Sequence, residues 1–169
     1  MKRFLAVLLV IALLFPLAAC ESKEETGEKV RDEVTTTVND FMGNVKSMDF
    51  ASANNYLTED SEKLDDSNFG NLDEESREFV SIALENMTYD INAVNVDSND
   101  AAMVDLTISA MKLNLSNSIY AAFTGEGMEN QTVETSLKIP AVKEKNSDGE
   151  KVWLLKIDGS EFSNAIVNQ

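Results

Sequence analysis

Ala102-Met103-Val104-Asp105-Leu106-Thr107-Ile108-Ser109-Ala110 alternates almost without interruption: Ala102, Val104, Leu106, Ile108 and Ala110 fall on one side, and Asp105, Thr107 and Ser109 on the other. Successive side chains of an extended chain point to opposite faces, so this period of two predicts a strand with one face on a core and one in water. Upstream, Asp97-Ser98-Asn99-Asp100 supplies turn residues that reverse the chain. Before that turn Tyr89, Ile91 and Ala93 alternate with polar residues, and then Val94 and Val96 take the other phase. The slip predicts a β-bulge, or a strand covered on both sides. Downstream, Val133, Thr135, Leu137 and Ile139 predict a third strand, and Pro140, which lacks an N–H, places its end at an edge or bulge. Ser147-Asp148-Gly149-Glu150 reads as a primed hairpin turn. Val152 to Ile157 then returns as a strand apolar on both faces, which predicts a place near the sheet centre. Phe162, Ala165 and Ile166 have the spacing of a short closing helix.

On the N-terminal side of Tyr89 the period is helical. Val30, Val34, Val38, Phe41, Val45 and Met48 form one apolar stripe, which predicts a helix from about Val30 to Ser47 with Asp32, Glu33, Thr36 and Asp40 on its wet side. Asp49 is positioned to cap a second, short helix that places Phe50, Ala53 and Leu57 on one face, with Tyr56 beside them. Thr58 to Gly70 is acidic and broken by Ser, Asn and Gly, so a loop with at most one helical turn is expected there. Asp73 offers a cap to a third helix reaching about Asn86, with Phe79, Ile82, Ala83 and Met87 inward and Glu74, Glu75, Glu78 and Glu85 outward. The expected core joins Val34, Val38 and Phe41 to Val104, Leu106, Ile108, Leu155 and Ile157. Lys112 to Asn130 is too long for a hairpin turn, and its Leu115, Ile119, Ala122 and Phe123 have helical spacing.

The first 19 residues have the layout of an export signal: a positive Met1-Lys2-Arg3, an apolar run from Phe4 to Leu14, and small residues before Cys20. Leu17-Ala18-Ala19-Cys20 resembles the lipobox of bacterial lipoproteins, and that resemblance implies cleavage before Cys20 and a lipid-modified Cys20 thiol. Two or more acyl chains anchor durably where one does not. Residues 20–29 then read as lipidated Cys20 with a flexible acidic tether, and 30–169 as a single domain. The expected location is the extracytoplasmic face of a membrane.

The mature chain would carry 12 Lys and Arg against 30 Asp and Glu. No basic face can be assembled from that balance, so a nucleic-acid partner is not expected. The chain has no His and one Cys, which removes the commonest general base and metal ligand. No metal and no cofactor is expected. Asn95 to Asp100 has the start of a calcium loop but lacks its Gly and its closing Glu, so a turn is the better reading.

Helix, short helix, third helix and then an antiparallel sheet closing around Trp153-Leu154-Leu155-Lys156-Ile157 resembles the nuclear transport factor 2-like, cystatin-related α+β cone. The particular likeness is to small bacterial lipoproteins that carry such a domain. The residues behind it are Val38-Asn39-Asp40-Phe41, Asp49-Phe50-Ala51-Ser52-Ala53 with Tyr56-Leu57, and Ile91-Asn92-Ala93-Val94 through Asp100-Ala101-Ala102-Met103-Val104; it spans about Val30 to Ile157. It implies helices packed on a curved antiparallel sheet of about four strands. Members range from isomerases to non-catalytic binding modules, so the fold does not choose a function.

Three function classes follow. A tethered binding module would hold a small apolar ligand in the cone or a protein on its sheet, with Tyr56, Tyr89, Met111, Tyr120 and Phe123 as candidate ligand-lining residues. An immunity or envelope-assembly protein would have no ligand cavity. An isomerase-like or dehydratase-like enzyme would pair an acid such as Asp105 with Tyr56, Tyr89 or Tyr120. No catalytic residue is assigned. The segment from Leu113 to Met128 is read either as core completion or as a cover that gates the open end of the cone.

Overall fold

A computed structural model of the chain describes residues 23–69, 74–111, 132–146 and 149–167. Among these residues four α-helices and four strands make an α+β arrangement: α1 (Lys23–Lys46), α2 (Phe50–Ala53), α3 (Glu74–Asn86), β1 (Thr88–Ser98), β2 (Ala101–Met111), β3 (Thr132–Lys145), β4 (Lys151–Leu155) and α4 (Gly159–Val167). The strands form one antiparallel sheet in the order β1-β2-β3-β4.

The alternation in β2 is realised in full, with Ala102, Val104, Leu106, Ile108 and Ala110 all buried. Its register with β1 shifts between Ile91 and Ala93, ahead of Ala93 rather than after it as the sequence suggests, so Ala93 stands opposite Asp105 while Tyr89, Ile91, Val94 and Val96 all pack on the core. All eight residues expected to carry the core are buried, and α1 lays Val30, Val34, Val38, Phe41, Met42 and Val45 on it. The Phe41 and Phe162 rings meet at 5.2 Å between centroids, inclined by 58°, and tie α1 to α4. The α1 helix ends in a Schellman motif: Asp49 N–H donates to the Asn44 carbonyl at 2.9 Å and Met48 N–H to that of Val45 at 3.0 Å, with Met48 at φ +57°. Asp49 then caps α2 by accepting from the Ser52 N–H at 3.0 Å.

Several expectations are corrected. The α1 helix begins at Lys23, so the stretch read as a flexible tether is helical over its last seven residues. Of the residues expected inward from α3, Ala83 and, just after the helix, Met87 are buried and Ile82 is 45% exposed, while Val80 and Leu84 are buried in its stead; the side chain of Phe79 lies outside the description. The helix is rotated relative to the expected stripe because Leu84 rather than Ile82 meets the core. Pro140 does not end β3, which continues to Lys145. Its carbonyl accepts from Lys156 N–H, so its nitrogen faces the same side, just beyond the last β4 pair at Ala141–Leu155, where no ladder donor is needed. Among the described residues the β4 strand lies at the sheet's edge and ends at Leu155, where a loop clasps that edge. Leu57 bridges Leu155 in parallel, and Thr58 N–H donates to the Leu155 carbonyl at 3.1 Å. The hairpin closes through Asn146 N–H to the Glu150 carbonyl, with three residues between them rather than the two of a primed turn, and Gly149 at φ +81°. Cys20, Asp73 and the whole Leu113–Met128 segment lie outside the described residues.

Candidate functional site

The β3–β4 register puts Lys143 opposite Trp153 and Lys145 opposite Lys151. Residues of like parity share a face, so these four side chains lie together, on the face turned toward α1. Glu33 of α1 meets them. Its Oε2 accepts from Lys143 Nζ at 2.7 Å and from Trp153 Nε1 at 2.8 Å, and Lys143 Nζ stands 5.4 Å from the centre of the Trp153 ring. The Lys143 and Trp153 hydrogen bonds hold the Glu33 carboxyl below its ordinary value of 4.5, against a smaller opposing effect of burial, with the charges of Lys143 and Lys29 adding to the lowering. Glu33, read as wet from the sequence, is instead the carboxylate that ties α1 to the hairpin.

Beside this triad a cleft of about 1070 Å³ opens between α1, the turn Asn54–Tyr56 and the β3–β4 hairpin. Hydroxyls, amides, lysines and the carboxylates of Glu33 and Glu59 line it, with Thr37, Asn55, Lys145 and Lys151 among them. Lys151 reaches Asp100 at 3.5 Å, whereas Lys145 makes no ion pair among the described residues. Like charges placed directly opposite on a ladder repel, so the Lys145–Lys151 pair is held at a cost to the hairpin.

The cleft's floor includes the edge of β4 that no other strand of the described residues pairs with. In an antiparallel ladder hydrogen-bonded pairs alternate with non-bonded ones. Asn146 bonds Glu150 and Lys156 bonds Pro140, so the bonded pairs are Glu144–Val152 and Val142–Leu154. The N–H and C=O groups of Lys151, Trp153 and Leu155 therefore point away from β3. Lys143 N–H accordingly turns to the Asp100 carbonyl of the β1–β2 turn. Leu155 is covered by Thr58, but the turn Asn54–Tyr56 diverges from β4, and no described group bonds the Lys151 and Trp153 backbone on that side.

Of the two candidate ligand residues whose side chains are described, Tyr56 lines this cleft and Tyr89 does not. Burial, and then the charge of Asp40, raise the Tyr56 phenol pKa. Tyr89 is packed against the core from β1, and its hydroxyl donates to Asn39 Oδ1 at 3.0 Å; burial and Asp40 raise its pKa too. Met111 ends β2 with its side chain outside the description, as are Tyr120 and Phe123 entirely. Asp105 sits on the opposite face of the sheet from Tyr89, accepting from Asn95 Nδ2 at 3.2 Å with Lys138 3.6 Å away. The structure thus brings neither Tyr56 nor Tyr89 to Asp105. Among the described residues, no group of three or more acids is placed to hold a metal ion.

No family model matches the chain, and no curated protein matches it. The site therefore stands on its own geometry. Glu33, Lys143, Lys145, Lys151 and Trp153 were missed at the level of sequence, although the parity of Lys143, Lys145, Lys151 and Trp153 about the Gly149 turn was a usable signal.

The Glu33 triad predicts a pH effect of definite sign. A carboxyl held below 4.5 in the folded state stabilises the fold fully above that value. The contribution is lost as the pH falls through the depressed folded value. Trp153 is the chain's one tryptophan, so its emission should titrate below 4.5 in the wild type and lose that step in Glu33→Gln. An unchanged titration in the variant would assign the step to another carboxyl.

Proposed function

We propose that this chain is a lipoprotein of the nuclear transport factor 2-like class, held by lipid on Cys20 at the extracytoplasmic face of a membrane, and that its domain is a non-catalytic module that binds a protein partner. The order of helices and strands supports the class, and Met1-Lys2-Arg3, the apolar run and Leu17-Ala18-Ala19-Cys20 support the anchor. One observation carries the choice of partner over small apolar ligand. The inner face of the sheet, where such a ligand would sit, is occupied by Phe41, Leu106, Ile108 and Phe162, each at most 1% exposed, while the open recess is a polar, lysine-bearing cleft. The isomerase reading has no Tyr–acid pair at Asp105 from Tyr56 or Tyr89 to support it.

Two measurements test this reading. Mass spectrometry of the mature protein should find a diacylated Cys20 as the first residue, and Cys20→Ser should move the protein out of the membrane fraction. An unmodified Cys20 would refute the anchor. Photo-crosslinking groups placed in intact cells at Tyr56 in the cleft and at Asn95 on the outer sheet face should capture a protein from at least one position. Capture from neither would refute the binding module.

A further inference from the structure

We propose that the cleft takes an extended acidic segment of the partner protein and adds it as a strand to the free edge of β4. The inference rests on the binding-module reading above and names the chemistry of the partner. An unpaired strand edge is a template for another chain, and proteins ordinarily cover it. Here the cover is half complete: Thr58 pairs with Leu155, and where the Asn54–Tyr56 turn leaves β4 the edge groups of Lys151 and Trp153 face an open cleft. A short extended segment laid there would continue the sheet beyond the point at which the chain's own loop departs.

Charge selects the occupant. Three lysines, Lys143, Lys145 and Lys151, line the cleft together with Glu33 and Glu59; Lys143 is paired with Glu33 and Lys151 reaches Asp100 at 3.5 Å. Lys145 and Lys151 face each other on the ladder, and Lys145 has no ion pair among the described residues. An added strand that puts a carboxylate beside Lys151 relieves that repulsion. Its alternate side chains would lie beside Val152 on the other face, so the fitting pattern alternates acidic with apolar residues. A second copy of this chain does not meet the requirement. Its own β4 edge would bring a second set of lysines, not carboxylates, to the Lys145–Lys151 pair.

The test uses the full-length lipidated protein in detergent micelles and Trp153 emission. The probe is a blocked hexapeptide alternating glutamate and valine. It should give a saturable change, and the glutamine–valine peptide should bind about tenfold more weakly or worse. N-methylation of the glutamate–valine peptide on the edge that would face β4 should abolish binding, because a point-charge site does not read the peptide backbone. Lys145→Gln with Lys151→Gln should weaken the glutamate peptide by a similar factor while circular dichroism stays that of the wild type. Equal binding of the N-methylated peptide, displacement by an equal concentration of inorganic pyrophosphate, self-association through β4 in sedimentation, or no saturable response would each overturn strand addition. Crosslinking distinguishes this failure from failure of the underlying reading: capture at Asn95 alone leaves a binding module without this site, whereas capture at neither position removes both.

Discussion

Phe41→Ala should lower the free energy of unfolding by about 3 to 5 kcal/mol, the largest single loss expected in the domain. Phe41 is 0% exposed in the middle of the α1 stripe, between Val38 and Val45, and its ring meets Phe162 at 5.2 Å. Truncation removes the transfer free energy of the ring and leaves a cavity, because the surrounding core side chains are held by their own helices and strands and can close it only in part. It also cuts the aromatic contact between α1 and α4, the two helices that close the inner face. Denaturant titration should show a lower midpoint with an unchanged slope. A loss below about 1 kcal/mol would mean that the ring contributes little to the packing.

Ser61→Ala should cost about 1 to 3 kcal/mol, although the residue belongs to a loop. Ser61 is 8% exposed. Its Oγ accepts from the Ile157 N–H at 3.2 Å, and its hydroxyl is shared between the Leu155 carbonyl at 3.3 Å and Thr58 Oγ1 at 2.8 Å. The Thr58 hydroxyl is itself satisfied by Asp60 Oδ1 at 2.7 Å, and the Leu155 carbonyl keeps the Thr58 N–H. The group left orphaned is the Ile157 N–H, where the chain leaves β4, and an unpaired buried donor costs more than a hydrogen bond gains. Amide exchange at Ile157 should accelerate beyond the change seen at core amides such as that of Ile108. Equal acceleration at both would mean that the loop does not act as a local clasp on the edge.

The candidate site shows where sequence reasoning stops. The α1 stripe, the β2 alternation, a phase slip in β1 near Ala93, the Asp49 cap and the closing helix were legible because each depends on residues within one or two turns of one another. The rotation of α3 was not: Ile82 and Leu84 are equally apolar, and only the surface that the helix meets decides between them. The position of β4 was not legible either. Trp153-Leu154-Leu155 is as apolar as a central strand, and it is an edge strand whose second cover is the Leu57–Ser61 loop. The candidate ligand residues were chosen for aromatic or thioether chemistry, but Tyr89 turned out to be half-buried with its hydroxyl spent on Asn39.

The sequence by itself determined the periods: a helical first half, an extended second half, the turns at Asp97–Asp100 and near Gly149, and which face of β2 is buried. These follow from backbone geometry and from the preference of apolar side chains for one side, both of which act over a few residues. Only the tertiary structure decided that Glu33 meets Lys143 and Trp153, that Lys145 stands against Lys151, and that the edge of β4 is closed at Leu155 but open at Trp153. The Glu33 contacts join positions 110 and 120 residues apart. Such a pairing depends on strand order, register and helix placement together, and no local pattern carries that information.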